Sequence, residues 1–139
     1  MRVSAGWRPV PDKQAVAGLE NNTLLVVAKN GEQTVGIARL ITDGGHSAFI
    51  EDVLVLPEYQ RCGIGKTMIT KTLEHLRSQL QPDEWCSVVL ISARGKEYFY
   101  KSPGFPEYPN ENAGTGRHLG LDATRPNGNS LVLNGVKKS

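Results

Sequence analysis

Cysteine is scarce: the 139-residue chain has two, Cys62 and Cys86. They form no CxxC pair and no Cys/His cluster with zinc spacing, so neither a disulfide framework nor a metal site is expected. They read as free thiols of a reducing compartment. Long apolar runs are missing too. A membrane span needs roughly 18 apolar residues, and the longest stretches here, 24–28 and 88–91, are strand-sized. The start, MRVSAGWRPVPDK, has no apolar core of a signal peptide, and a cytoplasmic location is the expectation. An excess of charge is also lacking. Sixteen basic against fourteen acidic side chains leave +2, too balanced for a non-specific nucleic-acid binder or an acidic disordered tail.

What is present suits one globular domain spanning 1–139, with 39% hydrophobic and 22% charged residues. Up to Pro11 the chain reads as irregular. A short helix is expected over 12–20, with Asp12 as its cap and Val16 and Leu19 on one face. A strand over 23–28 follows, then Asn30-Gly31, a strong hairpin signal. The returning strand is 34–42, the next turn Asp43-Gly44-Gly45, and a third strand covers 47–56 before Pro57. From Gly63 the period changes. Ile64, Met68, Ile69, Leu73, Leu76 and Leu80 trace one helix face, which Pro82 stops. A buried strand is expected at 86–92 and a short helix at 96–101. Beyond that, 117–121 and 130–133 read as short strands around a 122–129 loop, before a loose tail. Antiparallel hairpins followed by a β-α-β crossover predict a mixed α/β fold, a mostly antiparallel sheet with flanking helices.

The segment 50–67, IEDVLVLPEYQRCGIGKT, carries the most chemistry. A strand leads through a proline turn and a glycine loop into an amphipathic helix. Gly63 and Gly65 permit close backbone approach or positive φ. Unpaired N–H groups and the positive dipole end of the helix make an anion site, with Arg61 and Lys66 beside it. The tail GIGKT also looks like the end of a nucleoside-triphosphate loop. That motif needs a glycine where Gln60 stands.

The run Val55-Leu56-Pro57-Glu58-Tyr59-Gln60-Arg61-Cys62-Gly63-Ile64-Gly65 resembles the acetyl-CoA signature of the GNAT superfamily of N-acetyltransferases. Phe99-Tyr100-Lys101-Ser102-Pro103-Gly104-Phe105 is similar to that family's F-Y-x-x-x-G-F segment. The resemblance covers roughly 23–105, and a GNAT-like core of about 23–121 is expected. The family's first strand and most of its first helices are absent or shortened, and a homodimer or some other cover for the edge this leaves is the expectation.

The resemblance implies acetyl transfer from acetyl-CoA, as co-substrate, to a primary amine, by direct attack in a ternary complex. The amine belongs to a small molecule or a protein; no metal, nucleic acid or membrane is implied. Backbone groups of Val53, Leu54 and Val55 would pair with the pantetheine arm and serve the oxyanion. Gln60, Arg61, Cys62, Gly63, Ile64, Gly65, Lys66 and Thr67 would cradle the pyrophosphate. Ser92, ending the 86–92 strand, completes the cofactor-binding set. Tyr100 would be the general acid, with Tyr98 as a spare. Protonated below about pH 10, it has a proton to give.

For the base, Glu51 and Asp52 stand side by side on a strand otherwise mostly apolar. Strict alternation puts Glu51 with Phe49, Val53 and Val55, and Asp52 with Ile50, Leu54 and Leu56. A buried carboxylate is costly unless paired or functional. Glu51 is preferred over Asp52, and a salt bridge to Arg39 is the alternative for either. His46 and His75 read as surface residues, while His118 could reach a pocket. Trp7, Trp85 and Tyr108 could line a pocket or simply pack. A non-catalytic acyl-CoA-binding module on the same fold is the competing function.

Overall fold

The computed structural model describes residues 1–115. Residues 1–107 form one compact unit, and a second begins at Tyr108. Among the described residues of the second, Asn110 and Ala113 pair across a turn. The predicted strands at 117–121 and 130–133, the loop between them and His118 lie outside the described residues.

The elements of the first unit are α1 (Asp12–Glu20), β1 (Leu24–Asn30), β2 (Gln33–Thr42), β3 (Ser47–Val55), α2 (Ile64–Gln79), β4 (Ser87–Leu90) and α3 (Glu97–Lys101). Single 3-10 turns cover Val3–Ala5 and Pro57–Tyr59. The four-stranded sheet has the order β1-β2-β3-β4. β1–β2 and β2–β3 are antiparallel, and β3–β4 is parallel through the α2 crossover.

Local chemistry explains where element ends depart from expectation. Asn30 pairs with Gln33, so the hairpin turn is Gly31-Glu32, with Gly31 at φ 57°. α1 is capped by Pro11 rather than Asp12, and it buries no residue. α2 starts at Ile64 behind Gly63, and Leu80 is already extended. β4 is shorter than predicted, so Cys86 and Ser92 lie outside it.

Leu40, Ala48 and Ile50 of the sheet meet Ile69 and Leu76 of α2 in the core. Each fully buried Leu or Ile contributes about 1.5–3 kcal/mol, enough to fix the helix on the sheet. Thr72, outside the predicted apolar stripe, is fully buried as well. Its Oγ1 donates to the Met68 carbonyl at 2.9 Å, which satisfies the hydroxyl within its own helix. Gly36 brings helix and sheet close: a Cβ there would meet the Met68 Cε at 3.1 Å.

One irregularity in β3 decides the site. Glu51 pairs with Arg39 and Leu54 with Ile37, so Asp52 and Val53 both stand opposite Ala38. This is a β-bulge, and Asp52 takes a left-handed φ of 48° within it. Directly opposed residues of an antiparallel pair share a face. Leu54 therefore joins Phe49 and Glu51, opposite Ile37, Ile41 and Arg39, while Val55 joins Ile50 on the α2 face. Val53 also packs against the core. The strict alternation expected for this strand is thus corrected: the extra residue reverses the phase after Glu51.

Candidate active site

The parallel ladder between β3 and β4 ends at Ile50↔Leu90, yet β3 continues to Val55. A cleft of about 380 Å³ opens there. β3 lines it from Phe49 to Val55, the loop and helix start contribute Gln60, Arg61, Gly63, Ile64 and Gly65, and α3 contributes Phe99 and Tyr100. Glu51, Asp52, Val53, Leu54 and Val55, proposed from sequence, thus share one cleft with Tyr100 and the glycine loop. Cys62 and Thr67 do not line it. They line a second hollow of about 300 Å³ beside β1, with Val27 and Lys71. Lys66 and Ser92 line neither.

The backbone of β3 faces this cleft in a defined way. The Leu56 N–H donates to the Val35 carbonyl at 2.9 Å, which turns Leu56 toward β2. Alternation turns Leu54 the same way and points the N–H and C=O groups of Val53 and Val55 away from β2, toward the cleft. The Val55 carbonyl accordingly accepts from Gln60 Nε2 at 3.0 Å. β4 has already ended, so these groups form a short strand edge that no neighbouring strand pairs, with the Val55 carbonyl engaged by Gln60.

The loop at the far end concentrates donors. Arg61 at φ 61° and Gly63 at φ 82° are both left-handed. The Thr67 N–H donates to the Gly63 carbonyl at 3.0 Å. The N–H groups of Ile64, Gly65 and Lys66 have no acceptor within the helix. With the helix dipole behind them, they suit an anion. Gly65 is also a packing glycine, since a Cβ would lie 3.0 Å from Phe99 Cζ and 3.8 Å from Val55 Cγ2.

Both carboxylates are ion-paired to Arg39, as the alternative reading of the strand expected. Arg39 Nε donates to Asp52 Oδ2 at 2.8 Å and Nη2 to Glu51 Oε2 at 3.2 Å. Asp52 has a second partner, Arg2, whose Nη1 meets Oδ1. The Glu51 side chain remains 43% exposed and the Asp52 side chain 11%. Removing one partner of so buried a pair as Asp52–Arg39 costs about 3–5 kcal/mol.

Tyr100 packs against the core and meets Phe99 edge-on at 4.9 Å and Phe105 at 6.3 Å between ring centroids. Burial pushes its hydroxyl pKa above the ordinary value of 10.0. Tyr98, the spare, is exposed, and its ring lies under Lys101 Nζ.

The sequence reading left several lining residues unassigned. Trp7, weighed only as an aromatic that could line a pocket, does line the cleft, and Arg2 lies 5.0 Å over its ring. Phe99 and Tyr59 carry no role in the sequence beyond their places in the two motifs, and Leu90, Ile91 and Lys96 carry none at all; their signal is adjacency in sequence to the strand, loop and helix already marked. Trp85 is exposed, and its ring lies 5.2 Å from that of the exposed His46. His75 is exposed on α2. No group of His, Cys, Asp and Glu able to hold a metal occurs among the described residues, and no helix among them is long and apolar enough to cross a membrane.

The sequence model of the acetyltransferase (GNAT) family matches residues 4–105. The chain belongs to the GNAT family of acetyltransferases. This GNAT chain is 31% identical over 110 residues to an uncharacterized N-acetyltransferase, ycf52, of Pyropia yezoensis; the match covers 76% of the chain and 61% of that protein. It therefore spans about three fifths of the length of such relatives. Among solved structures, a GNAT family acetyltransferase of Streptococcus pneumoniae superimposes with a TM-score of 0.69 at 26% identity, covering 86% of this chain and 85% of that one. A GNAT family acetyltransferase of Brucella melitensis, solved in complex with acetyl-CoA, gives a TM-score of 0.52 at 26% identity, covering 68% and 60%.

Proposed function

We propose that the protein is an N-acetyltransferase that moves the acetyl group of acetyl-CoA to a primary amine by direct attack in a ternary complex. The observation that carries this reading is the free edge of β3 at the bulge, in one cleft with the donor-rich start of α2 and Tyr100. The outward groups of Val53 and Val55 would bind the amide-bearing pantetheine arm as an added strand. The N–H groups of the 61–66 loop would hold the pyrophosphate. The acetyl-CoA complex of the Brucella melitensis relative supports the same co-substrate here.

The chemistry follows from these positions. The amine nitrogen attacks the thioester carbonyl carbon, and the oxygen gains negative charge. An outward backbone N–H near Val53 would stabilise that oxyanion. As the intermediate collapses, the C–S bond breaks, and Tyr100 gives its phenolic proton to the thiolate. Glu51 is the better candidate to take the amine proton, through water. Its carboxylate has one ion-pair partner and stays partly exposed, whereas Asp52 is fastened by two arginines. Small amines and protein amino groups are both proposed acceptors.

Initial-velocity kinetics with acetyl-CoA and a panel of amines tests the proposal. Amine-dependent CoA release with intersecting double-reciprocal lines is expected. Parallel lines would mean an acyl-enzyme and overturn direct transfer. Acetyl-CoA binding without transfer to any amine would instead indicate a non-catalytic acyl-CoA-binding module.

A further inference from the structure

The Arg39 guanidinium uses all three of its nitrogens. Nε meets Asp52 at 2.8 Å, Nη2 meets Glu51 at 3.2 Å, and Nη1 donates to the Gly18 carbonyl of α1 at 3.1 Å. Its side chain is 14% exposed. Its partners flank the place where the pleat of β3 breaks. Glu51 is the last residue in regular register, and Asp52 is the left-handed residue of the bulge. A non-glycine residue holds such a conformation only where its surroundings over-determine it. The next N–H belongs to Val53 and points toward the cleft. A rotation at Asp52 would swing that N–H off the line of the strand edge.

We propose that Arg39 is a positioning residue for acetyl transfer. By clamping Asp52 and Glu51 to α1, it holds the bulge that aims the Val53 N–H at the thioester oxygen. The inference rests on the acetyl-transfer reading above. In it, the Asp52 carboxylate serves as an anchor for the backbone rather than as a proton acceptor. Fold stability, acyl-CoA binding and turnover respond differently to such a residue. The pyrophosphate end of the cleft lies on a different element and Val55 lies beyond the bulge, so CoA loses at most its contact at Val53 when Arg39 is changed, whereas the chemical step depends on Arg39 directly.

The test is a two-residue cycle built from Arg39→Gln, Asp52→Gly and their combination, with Arg39→Lys as the milder change should Arg39→Gln fail to fold. Glycine takes positive φ without a clamp. Arg39→Gln, or Arg39→Lys in its place, is expected to lower kcat at least tenfold while changing the KM for acetyl-CoA and the Kd for CoA by a clearly smaller factor. In the Asp52→Gly background the same change is expected to lower kcat by a smaller factor, the part that remains reflecting the lost pairing with Glu51. The Val53 amide resonance, followed by NMR without substrate, should move in the Arg39 variant and move less when position 52 is glycine. Equal kcat losses in both backgrounds would overturn the proposal. An unmoved Val53 resonance would overturn it too, even if Asp52→Gly alone were inactive. Wild-type protein that transfers acetyl to no amine would refute the acetyl-transfer reading instead, which separates the two failures.

Discussion

Replacing Tyr100 with phenylalanine removes one oxygen and keeps the ring. That ring makes the packing contacts: edge-on to Phe99 at 4.9 Å, near Phe105 at 6.3 Å, and against the core. Edge-to-face pairs contribute about 0.5–1.5 kcal/mol each beyond burial, and Phe preserves both. Among the described residues no hydrogen bond of the hydroxyl accompanies these contacts, so Tyr100→Phe should change unfolding free energy by less than about 1 kcal/mol. Catalysis should respond differently, because loss of a positioned general acid costs about 10²–10⁴-fold. The assay is paired: urea unfolding for stability, and steady-state CoA release with CoA titration for function. The expected result is a kcat loss of about a hundredfold or more, with near-wild-type stability and CoA affinity. Comparable losses of all three would refute the acid role and leave Tyr100 as a packing residue. The pH dependence carries the same logic. Burial raises the Tyr100 pKa above 10.0, so the hydroxyl stays protonated across neutral pH. Because the folded-state value is the higher one, the stability tied to this group is complete below about pH 10. It is lost as pH rises through the folded-state value. Tyr100→Phe should remove that part of the alkaline destabilisation, which unfolding measured above and below pH 10 would reveal.

Other expectations follow from the same contacts. Gly63 sits at φ 82° at the head of α2. Gly63→Asp should therefore weaken CoA binding at least tenfold in calorimetry, while uncharged Gly63→Asn, which tolerates the left-handed conformation, should weaken it less; equal losses would mean that charge at the loop is irrelevant. Ile69 is 0% exposed at the centre of the core, and Ile69→Ala should cost about 2–5 kcal/mol in urea unfolding; a loss below 1 kcal/mol would place the core elsewhere. Cys62 is exposed, whereas Cys86 is half-buried with its thiol pKa raised by burial and by Asp43. Brief alkylation at neutral pH should label Cys62 first, and mass spectrometry showing Cys86 first would contradict the burial described here.

Much of the architecture was legible because local chemistry and tertiary packing agree. The hairpin glycine, the proline stops and the change of period at Gly63 each have a backbone cause that the sequence displays. A glycine pair before a helix is a weak signal by itself, and the signature from Val55 to Gly65 was legible through its resemblance to the GNAT family's acetyl-CoA segment. The bulge was not. Nothing in Glu51-Asp52-Val53 marks Asp52 as left-handed, because Asp adopts many conformations and the groups that pair with it, Arg39 and Arg2, are distant in the chain. That one extra residue reversed the faces of Leu54 and Val55 relative to Glu51. Arg2 was hidden similarly, because an irregular segment has no period to reveal what it covers, and for the same reason Trp7 could be read only as an aromatic that lines a pocket or packs. Thr72 was missed because its hydroxyl is satisfied by its own helix, so a polar residue could occupy a core position.

The most direct measurement is thermal unfolding with acetyl-CoA, with CoA, and with ATP plus magnesium. A ligand at about a hundred times its Kd stabilises by about 2.7 kcal/mol, a shift on the order of ten degrees for a domain of this size. The account predicts a rise with both CoA species and none with ATP, with the rise abolished in Gly63→Asp. No rise with either CoA species would contradict it, for the free edge of β3 and the loop at the head of α2 would then be ordinary structure rather than a binding cleft.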